Sequence, residues 1–252
     1  VFARNPEQVA PRINSGIQIY PFDLDGPPTE LPRVDCVVST APIQMAASVV
    51  DLCQRIETRR VVFVSSTWRH SRAPTEAVNE VIRGEEAVMS SGLDWTILRP
   101  TMIYGPGDRN VSILRERITR SRVLPIIGSG ERLVQPVFVK DVAAAVSSAV
   151  SRRGAVGQCF EVCGPEPMTY SNMVDEISRS VRRHPLKVYV PLSIARRAAG
   201  LMERPLAHPP VTLDQVRRMA EDRHFDIRET AAALGYFPRS FSDGLLQTAA
   251  AG

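Results

Sequence analysis

The chain has 252 residues, enough for a sizeable core built as one large α/β domain or as one domain with a small appendage. Its 44% apolar, 23% charged and 6% aromatic residues are ordinary for a globular protein. The net charge of +4, from 31 Lys+Arg against 27 Asp+Glu, is a mild bias toward an anionic cofactor or substrate; with no basic tail or paired aromatic motif, it points away from nucleic acid.

In chain order, Val1-Phe2-Ala3 reads as the end of a strand and Arg4-Asn5-Pro6 as its exit, with a short helix or turn over Pro6-Glu7-Gln8. Ile17–Tyr20 alternates like an edge strand that stops at Pro21. Val34–Ser39 is a strand candidate, Ala46–Thr58 has helical periodicity, and Val61–Val64 is a compact apolar strand closed by Ser65-Ser66-Thr67. A helix is expected over Ala73–Ser90, weakened at Gly84. The stretch LDWTILRPTMIYGPG, Leu93–Gly107, then starts as a buried strand and is expected to break at Arg99-Pro100 into a turn-rich loop. In an open α/β sheet such an exit is where ligands bind.

Further on, Asn110–Arg120 suits a surface helix, and Leu124–Ile127 leads into the Gly128-Ser129-Gly130 turn. Pro136–Val139 is strand-like, Asp141 is placed to cap a helix over Val142–Val150, and Cys159–Cys163 alternates as a strand. Thr169 is expected to cap a helix through Val181. KVYVPL and helices over Ser193–Met202, Leu213–Glu221 and Ile227–Leu234 follow. Alternating strand and helix signals argue for a mostly parallel, doubly wound α/β sheet with helices on both faces. The domain expectation is a Rossmann-type core over residues 1–164 and a smaller, mainly substrate-side subdomain over 165–252.

Cys36, Cys53, Cys159 and Cys163 form no zinc or redox pattern and read as free thiols of the cytoplasm or another reducing compartment; no metal site is expected. No uninterrupted apolar segment is long enough to cross a bilayer. The opening VFARNPE resembles neither a signal peptide nor an initiation region, which leaves targeting open.

Taken together, Ser91–Pro100 (SGLDWTILRP), Tyr104-Gly105-Pro106-Gly107, PVFVKDVA at Pro136–Ala143 and the terminal LGYFPRSFSDGL resemble the extended short-chain dehydrogenase/reductase superfamily, especially its atypical, epimerase-like and NmrA-like branches. The resemblance implies a Rossmann-type fold and a nicotinamide dinucleotide, NAD or NADP. VFARNPE looks like the end of the second strand of that fold, so the first strand, Gly-rich turn and first helix are expected upstream. On that alignment Arg4 is placed to meet a 2′-phosphate, which tips the expectation slightly toward NADP, or else it is a solvent-facing arginine. Asp23 and Leu24 resemble the residues beside adenine, and Ala41-Pro42 the stretch along the ribose. Ser65 belongs to the Ser/Thr element after the fifth strand, and Pro100, Thr101 and Met102 would lie near the nicotinamide.

The resemblance also implies a catalytic Ser/Thr, with Thr67 the best match, and a Tyr-x-x-x-Lys pair in the next helix. Ala77/Val78 and Val81/Ile82 stand there instead. The chain is therefore expected either to bind a dinucleotide as a non-catalytic sensor, scaffold or assembly subunit, or to use a relocated acid/base on a small-molecule substrate. His70 and Tyr104 are the candidates for that role, with Glu80 and Glu85 nearby; each also reads as an exposed or packed structural residue. A structural protein without cofactor is the third alternative, and a protein partner fits the first and third.

Overall fold

The computed structural model describes residues 2–5, 7, 17–24, 26, 31–73, 75–203, 212–219 and 221–250. The expected turn at Pro6-Glu7-Gln8 falls largely outside them. Strand β1 (Phe2–Ala3) pairs in parallel with β2 (Tyr20–Pro21), and the alternating run before Tyr20 adds no further strand. Next come β3 (Cys36–Ser39), helix α1 (Ala46–Arg55) behind a 3-10 turn at Ile43–Met45, and β4 (Arg60–Val64). A second 3-10 turn, Thr67–His70, precedes α2 (Glu76–Met89), whose first turn is capped by the Thr75 side chain accepting from the Val78 N–H.

Strand β5 spans Asp94–Pro100 and so runs through Arg99-Pro100, where a break was expected. The Leu98 carbonyl accepts from Ser65 on the β4 side, and the Thr101 N–H reaches Val162 on the other side. By strand alternation the missing N–H of Pro100 faces the β4 side, beyond the end of β4, where no ladder bond is lost.

Beyond it lie β6 (Ile103–Tyr104), α3 (Val111–Arg120), β7 (Val123–Ile127), β8 (Leu133–Val134), β9 (Val137–Phe138) and α4 (Val139–Ser151). Asp141 is thus inside the first turn of α4 rather than its cap. Its carboxylate is claimed by Arg239, with a 2.8 Å ion pair across 98 residues of sequence. The chain continues with β10 (Gln158–Val162), β11 (Met168–Thr169), α5 (Tyr170–Ser180, capped by Thr169 as expected), β12 (Leu186–Val190) and helices α6 (Leu192–Glu203), α7 (Leu213–Arg218), α8 (Arg228–Leu234) and α9 (Phe241–Ala250).

The central sheet is all parallel in the order β10-β5-β4-β3. One face packs Val37, Val61, Phe63 and Ile97 against Val49 and Leu52 of α1 and Val88 of α2. The other packs Val62, Leu98, Phe160 and Val162 against Val142, Ala145 and Ala149 of α4 and Leu234 of α8. Coverage on both faces explains why these strands read as unbroken apolar runs. A second packing region joins Tyr104, Leu114, Ile118, Leu124 and Ile126 to Met173, Ile177, Phe241 and Leu245. It and the β7–β12 ladder both draw on residues from either side of 164/165.

Candidate functional site

The parallel sheet ends its strands at Ser39, Val64, Pro100 and Val162 along one edge, so the loops after them share one side of the molecule. At this edge a cavity of about 500 Å³ opens between β1–β2 and β3. Arg4, Asp23, Leu24, Ala41 and Pro42 all line it, together with Phe22, Ser39 and Met45. Arg4 and Asp23 face each other there, guanidinium to carboxylate at 2.6 Å, with both side chains substantially exposed. Among the described residues the wall combines an apolar surface from Phe22, Leu24, Val37 and Val38 with the Arg4 cation, the Asp23 carboxylate and the short side chains of Ser39 and Thr40. A flat base and a ribose suit such a mixture. Among the described residues the lining contains no glycine, so these residues fit the adenosine half of a dinucleotide and do not themselves form a close-fitting cradle for its diphosphate.

The other expected cofactor contacts lie further along the same edge. Ser65 follows β4 and gives its hydroxyl to Glu85 at 2.6 Å. Thr101 gives its hydroxyl to the Gln135 carbonyl, and Met102, half-buried, packs toward the second core. Pro100 offers its carbonyl to the Thr67 hydroxyl at 3.3 Å.

Of the three candidate catalytic residues, Thr67 and His70 share the 3-10 turn after β4, and Tyr104 lies in the second core. Thr67 is buried and committed to Pro100. Tyr104 lies in the second core, edge-on to Phe241 with ring centroids 4.8 Å apart, and its hydroxyl donates to the Phe241 carbonyl at 3.2 Å. Burial pushes that phenol well above its ordinary range. His70 is exposed at the edge, Nε2 at 2.8 Å from Oε1 of Glu161, its ring centroid 5.2 Å from that of Phe225.

Behind His70 is a network that residue-by-residue reading of the sequence passed over. Arg99 forks onto Glu85 through Nε (3.0 and 3.2 Å) and Nη2 (2.7 Å), and its Nη1 meets Glu161 at 3.2 Å. Glu85 is wholly buried, not the solvated helix carboxylate its sequence context suggests. Burial alone would raise the Glu161 carboxyl, but hydrogen bonds from His70 and Arg99 hold it below its usual range. The signal available in the sequence was an arginine in the middle of an apolar strand, which requires a buried carboxylate partner.

All four cysteines are free, and burial pushes the thiols up to about 11 at Cys53 and about 12 at Cys163. Among the described residues there is no cluster that could hold a metal ion, and no helix is long and apolar enough to cross a membrane.

Known proteins resemble this chain at both levels. It is 29% identical over 172 residues to the mitochondrial NADH dehydrogenase [ubiquinone] 1 alpha subcomplex subunit 9 of Arabidopsis thaliana, covering 65% of this chain and 43% of that protein. Over 184 residues it is 26% identical to the mitochondrial NADH-ubiquinone oxidoreductase 40 kDa subunit of Neurospora crassa, covering 73% and 48%. The chain therefore spans about half the length of these curated relatives. Among solved structures, UDP-glucuronic acid 4-epimerase from Bacillus cereus, in complex with UDP-glucuronic acid and NAD, superposes with a TM-score of 0.71 at 16% identity, over 96% of this chain and 84% of that one. At that identity the likeness concerns the fold, which is the doubly wound arrangement expected from the sequence. The family model for NAD dependent epimerases and dehydratases matches residues 38–163, half of the sequence and the stretch that carries β4, β5 and β10. On that match the chain belongs to the NAD dependent epimerase/dehydratase family.

Proposed function

We propose that this chain holds a nicotinamide dinucleotide with its adenosine half in the Arg4–Asp23 cavity and its nicotinamide end toward Ser65, Pro100, Thr101 and Met102. The observation that carries the reading is the convergence of Arg4, Asp23, Leu24, Ala41 and Pro42, from three separate stretches of sequence, on one cavity at the C-terminal edge of the sheet. When bound, the cofactor would supply hydride chemistry; the residues here bind and orient it. Asp23 suits a hydroxyl or amine donor, and Arg4 a 2′-phosphate. Because Arg4 is already paired with Asp23, its preference for NADP over NAD is modest.

The cofactor serves a sensor, scaffold or assembly subunit in the reading we favour. Helix α2 carries Ala77, Val78, Val81 and Ile82 where a proton-transferring Tyr–Lys pair would stand, and Thr67 and Tyr104 are buried in other duties. Two relatives are subunits of mitochondrial NADH dehydrogenase or NADH-ubiquinone oxidoreductase, which fits that role. A second reading, an NAD(P)-dependent oxidoreductase or sugar-nucleotide epimerase with a non-standard acid/base, is favoured by family membership and by the His70–Glu161 pair. Glu161 would accept the Nε2 proton, fix the ring and leave Nδ1 to exchange a proton with a hydroxyl or carbonyl substrate. The substrate side would draw mainly on residues 165–252, together with the strands they pair with. The free, unreactive thiols fit a reducing compartment.

Titration of the full natural polypeptide with NADH and NADPH tests the shared part; saturable binding supports it and no binding rejects it. A panel of carbonyl compounds and nucleotide sugars separates the two readings. Turnover that disappears in His70→Ala and falls in Glu161→Gln establishes the enzyme reading. Cofactor binding without turnover establishes the other.

A further inference from the structure

Strands β7 and β12 form a two-stranded parallel ribbon, in register from Val123↔Leu186 to Ile127↔Val190. Its inner face is conventional. Leu124 and Ile126 are buried, the Lys187 ammonium sits 2.8 Å from Asp175 and 2.8 Å from the Ser171 hydroxyl, and the Tyr189 hydroxyl is 3.1 Å from Ser171. The outer face carries Val123, Pro125, Leu186 and Val188 and, at its far end, Ile127 and Val190, which pack toward Ala195 and Ala199 of α6; among the described residues the first four are left exposed, Leu186 at 67%, Val123 at 46% and Val188 at 42%. Isolated exposed apolar residues are normal, but a contiguous apolar sheet face marks an interaction site.

The ribbon's two edges differ. The Leu186 N–H donates to the Arg122 carbonyl and the Gly128 N–H to the Val190 carbonyl, both at 2.8 Å. Ladder alternation then turns the N–H and C=O groups of Lys187 and Tyr189 away from β7, and among the described residues they have no backbone partner. On β7 the backbone groups of Val123, Pro125 and Ile127 face outward, and the central one, Pro125, has no N–H to offer; that edge is interrupted for strand addition, whereas β12 is open. At the head of the ribbon Arg122, Arg182 and Arg183 are exposed, and among the described residues none has a carboxylate within ion-pairing distance.

We propose that this ribbon is a docking site for an extended segment of a partner protein, which adds as a third strand along the free edge of β12. The segment would carry apolar side chains at alternate positions, extending the bare face, and acidic residues at the end that lies beside Arg122, Arg182 and Arg183. A lipid surface could meet the apolar face and the arginines. It would leave the amides of Lys187 and Tyr189 unpaired in hydrocarbon, which is why a strand fits and a bilayer does not. This inference does not depend on cofactor binding.

The test uses the full natural polypeptide and fluorescein-labelled Thr-Val repeat peptides, with an aspartate run at the N-terminus, at the C-terminus or absent. One acidic peptide should bind saturably. Its affinity should fall roughly tenfold or more in the Arg122→Glu, Arg183→Glu variant, as a lost interfacial charge pair requires. The same peptide should slow amide exchange at Lys187 and Tyr189, and Val188→Lys should weaken it. Four outcomes overturn the proposal: no saturable binding, affinity indifferent to the charge reversal, attachment to anionic phosphatidylserine vesicles in place of the peptides, or self-association of the chain that itself protects these amides.

Discussion

Removing the Arg99 guanidinium would strand the buried Glu85 carboxylate with only the Ser65 hydroxyl at hydrogen-bond distance and Arg69 at 3.5 Å. Arg99→Met should therefore cost about 3 kcal/mol, the low end of the usual penalty for a buried charge that loses its partner, because Arg69 remains at 3.5 Å. Replacing both together, Glu85→Leu with Arg99→Met, should recover most of that loss, because two charges no longer have to be desolvated. Urea melts of the single and double variants check this, and a double variant as unstable as the single would contradict it. Glu161 gives a pH test. Its carboxyl is held below its unfolded value, so the stabilisation is fully present above about pH 4.3, the unperturbed carboxyl value, and is lost as pH falls through the folded pKa. Wild-type protein should accordingly lose stability on acidification more steeply than Glu161→Gln; parallel curves would mean that Glu161 is not held by His70 and Arg99.

At the scale of elements, α2 rests on the 3-10 turn before α1 through Gly84, where a Cβ would collide with the Ile43 carbonyl. Gly84→Ala gains roughly 1 kcal/mol of helix propensity, but overpacking against backbone costs about 1–3 kcal/mol. The variant should melt lower than wild type by differential scanning calorimetry, and a higher melting temperature would show that the two elements can separate freely. The glycine that weakens a helix in a one-dimensional reading is thus what lets that helix pack. The same contrast explains what was and was not legible in the sequence. The strands of the central sheet announce themselves because burial on both faces demands unbroken apolar runs, and Thr169 caps its helix through a bond only three residues long. The fate of Pro100 depends on where a neighbouring strand ends. Asp141 depends on Arg239, and Tyr104 on the carbonyl of Phe241. No local pattern encodes partners more than ninety residues away.

Across the whole molecule, the candidate site residues separate into two groups. Arg4, Asp23, Leu24, Ala41 and Pro42 line one cavity, between the β1–β2 pair and β3. Thr67 and His70 share one 3-10 turn with different partners, the Pro100 carbonyl and the Glu161 carboxylate, and Tyr104 satisfies its hydroxyl in the second core. Arg4→Ala should weaken NADPH roughly tenfold, the worth of a charge-assisted hydrogen bond to phosphate, and leave NADH nearly unchanged. Calorimetric titration with both cofactors reads that difference, and equal losses for the two would remove Arg4 from the phosphate. The most direct measurement is amide hydrogen exchange of the full natural polypeptide with and without saturating NADH. Slowed exchange at residues 22–24 and 38–42, extending to 65–67 and 101–102, is the predicted result; unchanged exchange in the first two segments under saturation would contradict the placement of the cofactor.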